Sequence, residues 1–124
     1  MILVDSNIII YYLSADDNAV KFIKQHQGNL AISILTVMEV LSYPFDDEQA
    51  TKVENFLQKS FVWLEINHDI IFKTAHIRRI KKMKGIDALI AGTALVHHLP
   101  LATRNLKDFT HLPIELINPI DKSV

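Results

Sequence analysis

Asp5, Glu39, Asp87 and Asp108 are the residues of this chain best suited to chemistry, because each interrupts or borders a run of apolar side chains. Asp5 ends Ile2-Leu3-Val4, Glu39 lies within Leu35-Thr36-Val37-Met38-Glu39-Val40-Leu41, and Asp87 opens Ile86-Asp87-Ala88-Leu89-Ile90-Ala91. Asp108 follows the short apolar run Leu99-Pro100-Leu101-Ala102. Buried carboxylates repel one another and are costly to desolvate, so a cluster of them is tolerable mainly around a cation. An all-oxygen donor set suits Mg²⁺ or Mn²⁺ and not zinc. The six histidines show no zinc-motif spacing beside these acids, and His97 and His98 read as surface or margin residues. Each acid also has a plainer reading when taken alone. Asp5 and Asp87 are suited to capping or to the start of a helix dipole, Glu39 to an exposed helix margin, and the loop before Asp108 to an Asx-type turn.

Short apolar runs alternate with longer amphipathic segments, the pattern of a parallel α/β sheet covered by helices. Strands are expected near residues 2–4, 30–32, 62–64, 99–102 and 114–117. A capping box at Ser14-Ala15-Asp16-Asp17 predicts a helix to about His26, and Asp46 or Asp47 predicts another to about Ser60, with Ala50, Val53 and Leu57 as its buried stripe. Asn67 is expected to cap a long helix bearing Ile70, Ile71, Thr74, Ala75 and Ile77 that runs through a basic segment and stops near Gly85. Pro44 should end the short helix carrying Glu39. In such sheets ligands bind beyond the carboxyl ends of the strands, at the point where strand order reverses. Asp5 and Asp108 both follow strands and so can reach that edge.

A chain of 124 residues suits one domain, residues 1–124, with 49% apolar and 22% charged residues marking it as globular. No apolar stretch approaches the ~20 residues that span a bilayer, and the first apolar run lacks a basic segment before it and is interrupted by Asp5, which argues against a secretory signal. Without cysteines there are no disulfides or thiolate metal sites, and a cytoplasmic location is expected. A net charge of −1 argues against a general polyanion binder. Yet Lys73, Arg78, Arg79, Lys81, Lys82 and Lys84 share a segment without acids. Alone it reads as a solvated helix face; beside an acidic metal site it reads as a phosphate-contacting surface.

Four segments in order carry a family resemblance: Val4-Asp5-Ser6-Asn7, Thr36-Val37-Met38-Glu39-Val40, Asp87-Ala88-Leu89-Ile90-Ala91-Gly92-Thr93-Ala94, and Ala102-Thr103-Arg104-Asn105-Leu106-Lys107-Asp108-Phe109. Over nearly its whole length the chain resembles PIN-domain ribonucleases, most closely the VapC-like toxins of prokaryotic toxin–antitoxin pairs. The resemblance implies an α/β/α sandwich with a central, mostly parallel five-stranded sheet, and a Mg²⁺- or Mn²⁺-dependent endoribonuclease that is usually a homodimer. Asp5, Glu39 and Asp87 match the family's three core acids. Relatives place the fourth acid either where this chain has Asn105 or at the Asp of the Asp-Phe pair, here Asp108. Ser6, Asn7 and Thr103 match polar supporting positions that orient the acids or bound water.

The implied reaction is phosphodiester hydrolysis by a metal-activated water, with Asp5 and Asp87 as principal ligands and Glu39 completing the shell or accepting the water's proton. Arg78, Arg79, Lys81, Lys82, Lys84 and Arg104 are then candidates for the RNA backbone. The resemblance also implies a cognate antitoxin, for which Tyr11, Tyr12, Leu13 and Phe45 are possible interface residues. A phosphoacceptor signalling domain fits less well, since Phe61-Val62-Trp63-Leu64 leads into Glu65 and not into a central aspartate. Two-aspartate phosphatases fail because Asn7 sits where their second aspartate belongs. A PIN-like fold that only binds RNA or protein is the remaining alternative.

Overall fold

Five short strands form one parallel sheet in the computed structural model, which describes residues 1–121. They are β1 (Ile2–Val4), β2 (Leu30–Ser33), β3 (Val62–Leu64), β4 (Leu101–Ala102) and β5 (Leu116–Ile117), in the order β3-β2-β1-β4-β5. Leucine, isoleucine, valine and alanine dominate the three inner strands because helices cover both of their faces. The last two strands are shorter than the sequence pattern predicts. Leu99 instead donates its N–H to Ala94 at the end of the preceding helix, and Pro100 has no N–H to give. Ile114 likewise closes a tight turn onto Leu112 and joins no ladder.

Six helices connect the strands: α1 (Ser6–Leu13), α2 (Asp17–Gln25), α3 (Ile34–Leu41), α4 (Asp47–Ser60), α5 (His68–Ile80) and α6 (Gly85–His97). The expected start of α2 shifts to Asp16, whose carboxylate accepts from Ala19 N at 3.0 Å; Ser14 is taken up in closing α1. The reciprocal capping box lies instead at Asp46 and Gln49, at the head of α4. Asn67 caps α5 as predicted, accepting from Ile70 N at 2.9 Å. The helix carrying Glu39 ends at Leu41, ahead of Pro44.

The long helix predicted to reach Gly85 stops at Ile80. Lys81 adopts an extended conformation, and Met83 is buried, so the chain leaves the helix to place that side chain in the core. Lys81, Lys82 and Lys84 therefore occupy the link between α5 and α6, with only Arg78 and Arg79 in the last helical turn. Ile70, Thr74 and Ile77 form the buried stripe of α5, at the spacing of one helical face, while Ile71 and Ala75 point outward.

From β1 the chain steps to β2 and β3 on one side, then returns past β1 to β4 and β5. Right-handed crossovers in opposite directions place their helices on opposite faces of the sheet. One core accordingly joins Ile2, Val4, Leu30, Ile32 and Ala102 to the side chains of α1–α4. The other joins Leu3, Ala31 and Leu101 to α5 and α6. Successive strand residues thus alternate between the two cores, as a pleated strand requires. The helices α5 and α6 approach closely at Gly92, where an added Cβ would collide with the Thr74 hydroxyl and lie 3.2 Å from the Ile70 carbonyl oxygen. That contact fixes the depth of α6. Among the described residues, no helix is long and apolar enough to cross a membrane.

Candidate active site

Strand order reverses between β1 and β4, and the register pairs Val4 with Ala102. The next residue of each strand, Asp5 and Thr103, consequently emerges at the same point of the carboxyl edge. Backbone bonds hold both: Asp5 N donates to Ala102 O, and Thr103 N to Ile117 O, each at 2.9 Å. Asp5 is 93% buried and also caps α1, its Oδ1 accepting from Ser6 N at 2.8 Å. Capping and a place in the acid site are therefore two uses of one carboxylate, because the cap engages only Oδ1. Oδ2 accepts from the Thr103 hydroxyl at 2.8 Å and from Asn7 Nδ2 at 3.4 Å.

The same small network continues into the loop after β4. Thr103 Oγ1 accepts from Asn105 N at 3.1 Å, and Asn7 Oδ1 accepts from Arg104 N at 3.2 Å. This loop then makes a single 3-10 turn, Leu106–Asp108, which leaves Asn105 and Asp108 exposed while Phe109 is fully buried beneath them.

Helix geometry brings the other two acids. Thr36, Val37 and Val40 bury one side of α3, leaving Glu39 half-buried at its margin. Asp87 lies in the first turn of α6, where the helix dipole favours a negative charge, and is also half-buried. Burial, above all, raises the proton affinity of Asp5, and the charges of Asp87 and Asp108 raise it further against the bonds from Thr103 and Ser6. Glu39 is raised by burial, then by Asp5 and Asp87, and is opposed by the Ser6 hydroxyl. Asp87 is raised by burial and by Asp108, with Lys84 acting in the other direction.

Asp5 thus lies within electrostatic reach of Asp87 and Asp108, and Glu39 within reach of Asp5 and Asp87, at one edge of the sheet. Among the described residues, no three acidic or histidine side chains are already drawn into a metal-holding group. Carboxylates dominate this edge, and burial together with neighbouring negative charge raises the proton affinity of Asp5, Glu39 and Asp87, a strain that a hard divalent cation would relieve.

The predicted cationic residues fall into two groups. Arg78, Arg79, Lys81, Lys82 and Lys84 are all exposed and lead directly into the turn bearing Asp87. Arg104 stands apart, its Nε donating to Asp121 Oδ2 at 3.0 Å and its guanidinium carbon 5.1 Å from the centre of the Tyr11 ring. Sequence reasoning gave Tyr11 no place at the site and overlooked Asp121 altogether. Asp121 carries no usable local signal, since its partner lies 17 residues away. The spacing of Asn7 and Tyr11, one turn apart on α1, is the one hint the chain offers. Tyr11, Tyr12, Leu13 and Phe45 are half-buried against the first core, whereas Met38 and Tyr43 near Glu39 are exposed.

Residues 2–114 match the family model described as the PIN domain. Ribonuclease VapC1 of Methanocaldococcus jannaschii is 31% identical over 116 residues, spanning 90% of this chain and 80% of that protein. A chain of a toxin–antitoxin complex from Klebsiella pneumoniae superposes with a TM-score of 0.86 at 33% identity, covering 96% of this chain and 98% of its own. A chain of VapBC2 from Rickettsia felis, crystallised on a promoter DNA fragment, shares the fold with a TM-score of 0.82 at 24% identity and covers 95% and 98% of the two chains.

Proposed function

The chain belongs to the PIN-domain family, and on that premise we propose that it is a metal-dependent endoribonuclease, the toxin half of a toxin–antitoxin pair. The observation that supports this reading is the buried Asp5 at the strand-order reversal, close enough to Glu39, Asp87 and Asp108 for its charge to interact with theirs. Asp5 and Asp87 would hold Mg²⁺ or Mn²⁺, with Asp108 as the fourth acid and Asn105 beside it to orient water. A bound divalent cation supplies charge for the scissile phosphate and lowers the pKa of attacking water. Glu39, half-buried at the margin of α3, would complete the shell or accept the proton of the attacking water. Ser6, Asn7 and Thr103 keep the carboxylates oriented.

The exposed run from Arg78 to Lys84 tracks the RNA backbone, giving affinity and salt dependence but not sequence choice. A cognate antitoxin covers the acid edge, with Met38 and Tyr43 as its apolar contacts. Phe72, 72% exposed on α5, belongs to the face of a homodimer. A cysteine-free chain of this kind fits the cytoplasm.

The test is cleavage of total cellular RNA by the purified protein, freed of any antitoxin, with Mn²⁺, Mg²⁺ or chelator. Metal-dependent fragments absent in Asp5→Asn are expected. Full activity in that variant, or fragments that persist in chelator, overturns the assignment.

A further inference from the structure

Arg104 is held on three sides. Its backbone N–H is bonded to Asn7, its Nε to Asp121, and its guanidinium carbon lies over the Tyr11 ring, 5.1 Å from the centre. Asn7 and Tyr11 share one face of α1, and Asn7 is bonded to Asp5, so the plane has a fixed position relative to the acids. Asp121 is itself fixed, its N–H and carboxylate both bonded to the Asn118 side chain. Arginine on a surface ordinarily loses much rotamer freedom when it binds; here the loss has been incurred in folding.

The arrangement is less suited to a simple phosphate clamp, because Asp121 already engages Nε. It is well suited to stacking. Tyr11 lies beneath the guanidinium carbon, the side chain remains 44% exposed, and among the described residues neither Nη group has a hydrogen-bond partner. Unpaired RNA bases stack on aromatic rings and on guanidinium planes, and every base offers a π-face.

Building on the proposed RNA substrate, we infer that Arg104 and Tyr11 form a stacking platform for one unpaired nucleobase beside the scissile phosphate. Arg104 is then a positioning residue that chooses single-stranded RNA at this edge, and Asp121 sets the orientation of its plane. The backbone charge is read elsewhere, by the Arg78–Lys84 segment.

Binding is measured by fluorescence anisotropy in chelator, which prevents metal-dependent cutting, with a fluorescein-labelled oligoadenylate and an abasic oligoribonucleotide of equal length. Wild-type protein should bind the base-bearing strand roughly ten-fold more tightly, within the range of one base stack. Arg104→Lys and Tyr11→Leu should abolish that preference while keeping affinity for the abasic strand and its salt dependence, and Asp121→Asn should reduce it. The platform is overturned if wild type shows no preference, if Arg104→Lys retains it, or if Arg104→Lys weakens both strands equally, the mark of a phosphate contact. Metal-dependent cleavage of total RNA without the preference removes the platform alone; absence of both binding and cleavage removes the nuclease reading with it.

Discussion

The Thr103 hydroxyl donates to Asp5 Oδ2 at 2.8 Å and so joins residues 98 positions apart across the strand-order reversal. Thr103 is fully buried, and its oxygen also accepts from Asn7 and Asn105, which makes it the junction between β1, α1 and the loop leading to Asp108. A hydroxyl that donates to a carboxylate stabilises the charged form, the form able to hold a cation.

Thr103→Val keeps the shape and removes the donor. Metal affinity, read by calorimetric titration with Mn²⁺, should fall roughly 10–100-fold, the usual cost of losing a ligand's supporting bond. Folding stability should drop by about 1 kcal/mol. Thr103→Ser should restore most of the affinity. Unchanged Mn²⁺ binding in the valine variant would remove Asp5 from the metal site.

Stability of the metal-free protein should depend on pH through the same carboxylates. Asp5, Glu39 and Asp87 all have folded-state proton affinities above their ordinary values. The unfolded chain therefore loses these protons first as pH rises, and the folded state binds more protons between the two values. The contribution of these three groups to stability is greatest below the ordinary carboxylate range and is lost as pH climbs through their raised folded values. Saturating Mn²⁺ should reverse the trend, because metal binds the deprotonated groups. Thermal melts from pH 4 to 8, with and without metal, check both slopes; a metal-free profile that rises over this interval contradicts the electrostatic account.

At Gly92 the prediction concerns packing. Alanine there meets the Thr74 hydroxyl and the Ile70 carbonyl, so Gly92→Ala should cost about 1–3 kcal/mol by urea denaturation. Cleavage should fall as well, since α6 carries Asp87. Adding Thr74→Ala makes room, and the double variant should be less destabilised than the sum of the single changes. Strict additivity would mean that the helices adjust by moving apart elsewhere.

Two residues compete for the fourth acid position. Asp108 raises the proton affinity of both Asp5 and Asp87, whereas Asn105 brings no charge. Asp108→Asn should therefore weaken Mn²⁺ binding and cleavage more than Asn105→Ala does. It should also shift the stability decline of the metal-free protein to lower pH, by removing a repulsive neighbour. A larger loss from Asn105→Ala assigns the fourth position to the asparagine.

Much of this was legible along the chain because it rests on local chemistry. Acids set in apolar runs stand out at Asp5, Glu39 and Asp87, and alternating short apolar runs and amphipathic segments signal a parallel sheet. The caps at Asn67 and Asp46 are visible because a cap acts within three residues. Where local signals mislead, a distant contact intervenes: Met83 draws the basic segment off α5 into the core, and Leu99 closes α6 and leaves the start of β4 two residues later.

Only the tertiary structure decided which polar groups meet. Local preference does not specify that β4 lies beside β1, yet that pairing brings Thr103 to Asp5 and Arg104 to Asn7. The same holds for Arg104, whose sequence neighbours show a loop cation and whose surroundings reveal a plane fixed between Tyr11 and Asp121. Residue types and their order determined the chemistry available to this protein. Strand order determined which of those groups act together, because contacts spanning most of the chain depend on where the whole core places its strands.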